Sequence, residues 1–134
     1  MIDPEIAQDL LGHGIRPSMQ RIQIYRYLDE HRTHPTVDEI YSRIHKLIPV
    51  LSRMTVYNTV KLFAQKGVVS PLIIEDKELR YDMNTKFHGH FRCEQCGTVY
   101  DIMDIGDVKL PANLVGFRVS HRHMYFMGLC KHCA

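Results

Sequence analysis

Cys93-Glu-Gln-Cys96 and Cys130-Lys-His-Cys133 contain every cysteine of the chain. A Cys-x-x-Cys turn sets two thiolates at the ends of one tight knuckle. Two such knuckles bring four sulfurs to the roughly 2.3 Å and tetrahedral angles that zinc prefers. Two oxidised or merely buried cysteine pairs are the weaker reading, because a double Cys-x-x-Cys is among the more specific short metal signals. Four thiolates leave no open coordination position, so a structural role is expected. Gly97 suits the turn closing the first knuckle, and His132, inside the second, is expected to be exposed rather than a ligand. From residue 84 onward about fifty of the 134 residues remain, too few for a self-sufficient core, so bound metal is expected to supply much of that segment's folding free energy.

The preceding residues read differently. Asp3 to Leu11 has Ile6, Ala7, Leu10 and Leu11 on one side of a short helix that Gly12 and Gly14 end. Pro17 suits a second helix start, with Met19, Ile22, Tyr25 and Leu28 at helical spacing up to about His31. Thr36-Val-Asp-Glu39 is a capping-box pattern, and Val37, Ile40, Tyr41, Ile44 and Ile48 give a third helix its buried stripe before Pro49. Ser52 caps a fourth, with Val56, Val60 and Phe63 inward, Gly67 as its stop, and Arg53, Tyr57, Asn58 and Lys61 outward. Val68 to Ile74, a turn over Glu75 to Glu78, and Leu79 to Met83 read as a β-hairpin. Setting the first helix aside, three helices and a hairpin follow the order of a winged helix-turn-helix. After Asn84 come short strands at His88 to Arg92, Thr98 to Met103 and Phe117 to Leu129, with one helical segment at Asp107 to Val115. The expected fold is therefore α+β: a winged helix-turn-helix over 1–83, then a small α/β domain over 84–134 carrying the four-cysteine zinc site.

A hydrophobic content of 45% with 24% charged residues is ordinary for a soluble globular chain. Neither a membrane-length apolar run nor a basic-then-apolar leader is evident, so a cytoplasmic location and no membrane partner are expected. Net charge is only +2, but nine Lys/Arg against four acids between Gly12 and Lys66 give that segment +5, compatible with a phosphate backbone.

Nine histidines are many for this length. His88 and His90 are an i, i+2 pair, so on a strand both imidazoles point the same way. Asp82 lies at the end of the expected wing, Asp101 on the strand after the first knuckle, and His34 just before Pro35. Three imidazoles with two carboxylates suit a divalent transition metal such as Fe²⁺, Mn²⁺ or Zn²⁺. Taken singly, each residue is better read as a surface histidine or a solvated aspartate. His121 and His123 form another same-face pair, better explained as strand histidines near a dimer interface than as a further site. Metals held by His and Asp can also activate water, but no HExxH motif and no general base beside the cluster are found, so no enzyme is expected. A zinc-stabilised protein-interaction module would leave the basic helical segment unexplained.

Across nearly its whole length the chain resembles the ferric uptake regulator family. The residues that carry the likeness are Gly14-Ile-Arg16-Pro-Ser-Met-Gln20-Arg21, His34-Pro35-Thr36, Met54-Thr55-Val56-Tyr57-Asn58, Arg80-Tyr81-Asp82, His88-x-His90-x-x-Cys93 and the two Cys-x-x-Cys pairs. The resemblance implies a homodimeric, metal-dependent repressor that binds a near-palindromic double-stranded operator. It implies structural Zn²⁺ at Cys93, Cys96, Cys130 and Cys133, and regulatory Fe²⁺ or Mn²⁺ (Zn²⁺ in vitro) at His34, Asp82, His88, His90 and Asp101. The likeness is strongest to the peroxide-sensing members, in which His34 and His88 would be the oxidised ligands. Aspartate at both carboxylate positions and Asn58 after Tyr57 favour that subgroup over iron-responsive members controlled by metal occupancy alone. Phe87, Gly89 and Arg122 replace the ligands of an extra site found in iron-sensing members, so that site is not expected. Tyr57 and Asn58 are candidates for base contacts, Arg53, Thr55 and Lys61 for phosphates, and Arg16 for the backbone or an A·T-rich minor groove. No small-molecule substrate beyond metal and peroxide is expected.

Overall fold

Asp3 starts the first helix by turning its carboxylate onto the backbone N–H groups of Glu5 and Ile6, at 3.0 and 3.3 Å. The computed structural model describes residues 3–72, 79–83, 88–103, 109–119 and 122–134. The chain forms two compact units, Met1–Thr85 and Lys86–Ala134.

In the first unit, α1 (Pro4–Gly12) ends where Gly14 takes a φ of +76° and the Ile15 N–H returns to the Leu10 carbonyl at 2.8 Å. A residue with a Cβ would be strained there. Helices α2 (Met19–Glu30), α3 (Val37–Ile44) and α4 (Arg53–Gln65) are each N-capped by a hydroxyl, from Ser18, Thr36 and Ser52. Pro17 thus stands before the α2 cap rather than inside the helix. Helix α3 stops at Ile44, and a turn with the Ile48 N–H on the Ile44 carbonyl carries the chain to Pro49. At the end of α4, Gly67 (φ +81°) lets the Val68 N–H reach the Phe63 carbonyl at 2.8 Å.

The apolar stripes meet in one cluster of Ile6, Leu10, Ile15, Ile22, Ile24, Leu28, Ile40, Ile44, Leu51, Val56, Val60, Phe63, Val68, Val69 and Tyr81. Two expected core positions differ. Met19, the first residue of α2, is 44% exposed, while Ile24 is fully buried. Leu11, at the end of α1, is exposed as well. Strand β1 (Ser70–Leu72) pairs antiparallel with β2 (Arg80–Asp82), Pro71 opposite Tyr81. The expected turn at Glu75–Glu78 lies outside the described residues, as do Ile73 and Ile74. Beyond its partner strand, β2 also bonds the loop before α3: the Tyr81 N–H donates to the Pro35 carbonyl at 3.0 Å and Thr36 bridges Arg80. Together these elements make the winged helix-turn-helix.

The second unit is a three-stranded sheet in the order β4-β3-β5. Central β3 (Gly89–Cys93) runs antiparallel to β4 (Val99–Ile102) and parallel to β5 (Tyr125–Gly128). The helix expected over Asp107–Val115 is reduced, in its described part, to a single 3₁₀ turn at Ala112–Leu114. Pro111 accounts for this: it has no N–H to donate and disfavours helical backbone at Leu110. The long strand expected from Phe117 to Leu129 is regular only at Tyr125–Gly128, and Ser120 and His121 lie outside the described residues. The boundary expected between Met83 and Phe87 falls on Asn84–Phe87, also outside the described residues. No described helix is long and apolar enough to cross a membrane.

Candidate metal centres and nucleic-acid face

The knuckles close on themselves before they meet each other. Gly97, at φ +75°, sends its N–H to the Cys93 carbonyl at 2.9 Å, and the Cys133 N–H reaches the Cys130 carbonyl at 3.0 Å. Strand β3 delivers Cys93 and the residues after β5 deliver Cys130, so the parallel pairing of these strands aligns the knuckles. The four Sγ atoms lie within 4.8 Å of one another, Cys96 and Cys130 at 3.9 Å. The edge of a tetrahedron with zinc–sulfur bonds of ~2.3 Å is about 3.8 Å. The donor set therefore fits zinc in number, chemistry and spacing.

The backbone also favours thiolate. N–H groups of Cys96 and Cys130 each point at Cys93 Sγ from 3.4 Å and lower its pKa to about 6. Burial pushes the Cys130 thiol up, but hydrogen bonds from the His132 backbone, the Tyr100 hydroxyl and Cys133 outweigh it and leave the pKa lowered. Cys133 is the counterweight: hydrogen-bonded to Cys130 and half-buried, it is raised to about 12. Four sulfurs this close cannot all carry charge without a cation among them. His132 is exposed.

Two further clusters form, one in each unit. In the first, His34 and Asp82 are both buried, with His34 Nε2 at 3.6 Å from Asp82 Oδ2. The backbone holds His34 at φ 59°, a left-handed conformation unusual for a residue with a Cβ. The Arg80 guanidinium grips the His34 carbonyl at 3.3 Å, and β2 carries both Arg80 and Asp82. In the second, one carboxylate oxygen of Asp101 lies 3.3 Å from His88 Nε2 and 3.3 Å from His90 Nε2. Residue alternation on β3 and the register placing His90 opposite Asp101 produce this convergence. Edges of roughly 3.0–3.4 Å are what ligand atoms about 2.1 Å from a shared metal would have. Nearby, the Tyr125 ring stands 6.2 Å from His90 and stacks on His123, whose Nδ1 is 3.2 Å from the tyrosine oxygen. His121 lies outside the described residues.

The outward side chains of α4 include Met54, Tyr57, Asn58 and Lys61. Arg53 bends toward α3, its Nε 2.9 Å from Asp38 and its guanidinium over the Tyr41 ring. Thr55 Oγ1 is 2.8 Å from the capping hydroxyl of Ser52. A concavity of about 410 Å³ opens between the loop before α2 and α4, with Arg16, Ser18, Gln20, Arg21, Thr55 and Asn58 on its walls. The Arg21 guanidinium donates to the Arg16 carbonyl at 2.7 Å and fixes the loop. Sequence reasoning about contacts passed over Gln20 and Arg21; their spacing from Arg16 across a helix cap was the available signal.

Residues 12–127 match the ferric uptake regulator family. The chain is 39% identical over 132 residues to the peroxide-responsive repressor PerR of Staphylococcus aureus, covering 96% of this chain and 89% of that protein. Among solved structures it is similar to PerR from Streptococcus pyogenes, with a TM-score of 0.54, 29% identity and coverage of 97% and 91%. It also shares the fold of the Vibrio cholerae ferric uptake regulator, with a TM-score of 0.70, 21% identity and coverage of 92% and 98%. With a family match over most of its length and a near full-length relative at this identity, the chain belongs to the ferric uptake regulator family.

Proposed function

We propose that this chain is a metal-dependent transcriptional repressor that binds a near-palindromic DNA operator as a homodimer in the cytoplasm and responds to peroxide. The observation that carries the reading is the Asp101 oxygen equidistant from His88 and His90, in a chain 39% identical to a peroxide-responsive repressor.

In this reading Cys93, Cys96, Cys130 and Cys133 hold structural Zn²⁺, and His34, Asp82, His88, His90 and Asp101 together hold Fe²⁺ or Mn²⁺. Iron bound there would supply the redox chemistry through which peroxide adds oxygen to an imidazole. His34 and His88 are the imidazoles proposed to be oxidised. Asp82 and Asp101 repel each other when drawn to one place without a cation, and His34 then has no reason to approach the second unit. Bound metal reverses that balance, so occupancy selects one arrangement of the two DNA-reading modules. A coupling of about 1–3 kcal/mol between metal and DNA corresponds to a roughly 5- to 150-fold change in operator affinity.

Two-fold symmetry would place paired α4 helices in successive major-groove turns. Tyr57 and Asn58 face base edges; Arg53, held by Asp38, lies with Thr55 and Lys61 nearer phosphates, and Arg16 at the mouth of the concavity reaches backbone or minor groove.

The decisive measurement is operator binding by the Zn²⁺-loaded protein with Mn²⁺ or Fe²⁺, before and after peroxide. Release of DNA from the Fe²⁺ form only, with added oxygen on the His34 and His88 peptides by mass spectrometry, is the expected result. Peroxide-insensitive repression that follows metal occupancy would instead make the protein an iron-responsive repressor. DNA release with both peptide masses unchanged would exclude the oxidation step.

A further inference from the structure

Helix α4 buries Val56, Thr59, Val60 and Phe63; besides Arg53 and Gln65 at its ends, Met54, Tyr57, Asn58 and Lys61 are exposed. These last four follow i, i+3, i+4, i+7 spacing and form one stripe. An amide and an ammonium are ordinary on a solvated helix face. Met54 is not: it is 64% exposed, and Tyr57 one turn on is 42% exposed. A single exposed apolar residue means little by itself. Here its position gives it meaning, because Met54 stands in the first turn of α4, and the N-terminal residues of a recognition helix are those that reach base edges. Arg16, in the loop before α2, and Gln20 and Arg21, in its first turn, stand beside Thr55 and Asn58 and complement a polyanion.

The major groove offers hydrogen-bond donors and acceptors on every base pair and one apolar group, the C5-methyl of thymine. We propose that Met54, backed by the Tyr57 ring, clasps a thymine C5-methyl at one position in each half-site and is thereby a specificity-determining residue. The inference rests on the reading of α4 as the DNA-reading helix. A thioether suits such a contact, being unbranched, polarisable and able to follow a small apolar target. Cytosine at that position would bring its N4 donor against the thioether without a good acceptor, so the same contact that favours thymine penalises cytosine.

The test uses the full chain supplied with Zn²⁺ and Mn²⁺ and a duplex enriched by it from a random-sequence pool. Each thymine of the half-site is replaced in turn, in both halves, by deoxyuridine, which removes the methyl and keeps every hydrogen-bonding group. At one position the wild type should bind roughly fourfold less tightly per methyl removed, and roughly fifteenfold less with both removed. Met54→Ala should bind the thymine duplex about as weakly as the wild type binds the uracil duplex, and should not distinguish the two. Met54→Leu should keep the preference, and an unchanged melting temperature of Met54→Ala would show that the effect is not one of folding. Wild-type binding indifferent to uracil at every thymine, or a Met54→Ala protein as uracil-sensitive as the parent, overturns the clasp alone. A wild type that enriches no sequence and binds no duplex overturns the DNA-reading assignment, and the clasp with it.

Discussion

One oxygen of Asp101 serves two imidazoles at the same distance, 3.3 Å, which ties His90 of β3 and His88 just before it to a single atom. Removing it as Asp101→Ala should weaken Mn²⁺ binding at least tenfold, roughly the loss common for supporting groups of metal sites. Competition titration with a metal indicator measures this, and parental affinity in the variant would exclude Asp101 from the site. His34 calls for a different substitution. Its left-handed backbone at φ 59° is costly for alanine and tolerated by asparagine. His34→Asn should therefore retain about 1 kcal/mol more stability than His34→Ala, while both lose the metal response. Thermal melting compares the two; equal stabilities would mean that the backbone relaxes once the imidazole is gone.

Among the elements, α4 was the most legible from sequence, because Val56, Val60 and Phe63 repeat at the helical period and Ser52 and Gly67 mark its ends. Ser52→Ala removes the acceptor 3.0 Å from the Thr55 N–H and should cost about 1 kcal/mol, read as a lower urea midpoint with unchanged slope. Elsewhere, periodicity misled where an element began or broke. Met19 fits the α2 stripe by spacing yet is exposed as the helix's first residue, whereas Ile24 is buried off the stripe. Of the helical segment expected over Asp107–Val115, the described residues keep a 3₁₀ turn after Pro111, which has no N–H to donate. The site was legible where local geometry sufficed: the i, i+2 rule brings His88 and His90 together, and the knuckle spacing brings each cysteine pair together. The parallel partnership of β3 with β5 depends on residues far apart in the chain, and no local pattern announces it.

Taken as a whole, the molecule divides its sources of stability. The buried apolar cluster belongs to the first unit, while the buried apolar-class residues described in the second are Cys93 and Cys130. Chelating zinc should therefore unfold residues after 86 and spare α1–α4. Limited proteolysis followed by mass spectrometry checks this: cleavages confined to the second unit are expected, and an intact second unit without zinc would contradict it. The partition has a consequence for biosynthesis. The buried apolar cluster of the four helices draws on residues no later than Met83 and is complete once the wing has left the ribosome, whereas Cys93 and Cys130, its N–H partner, are separated by 37 residues. The amino-terminal module can thus mature first during translation, and zinc delivery becomes the checkpoint that decides when the nascent regulator is finished.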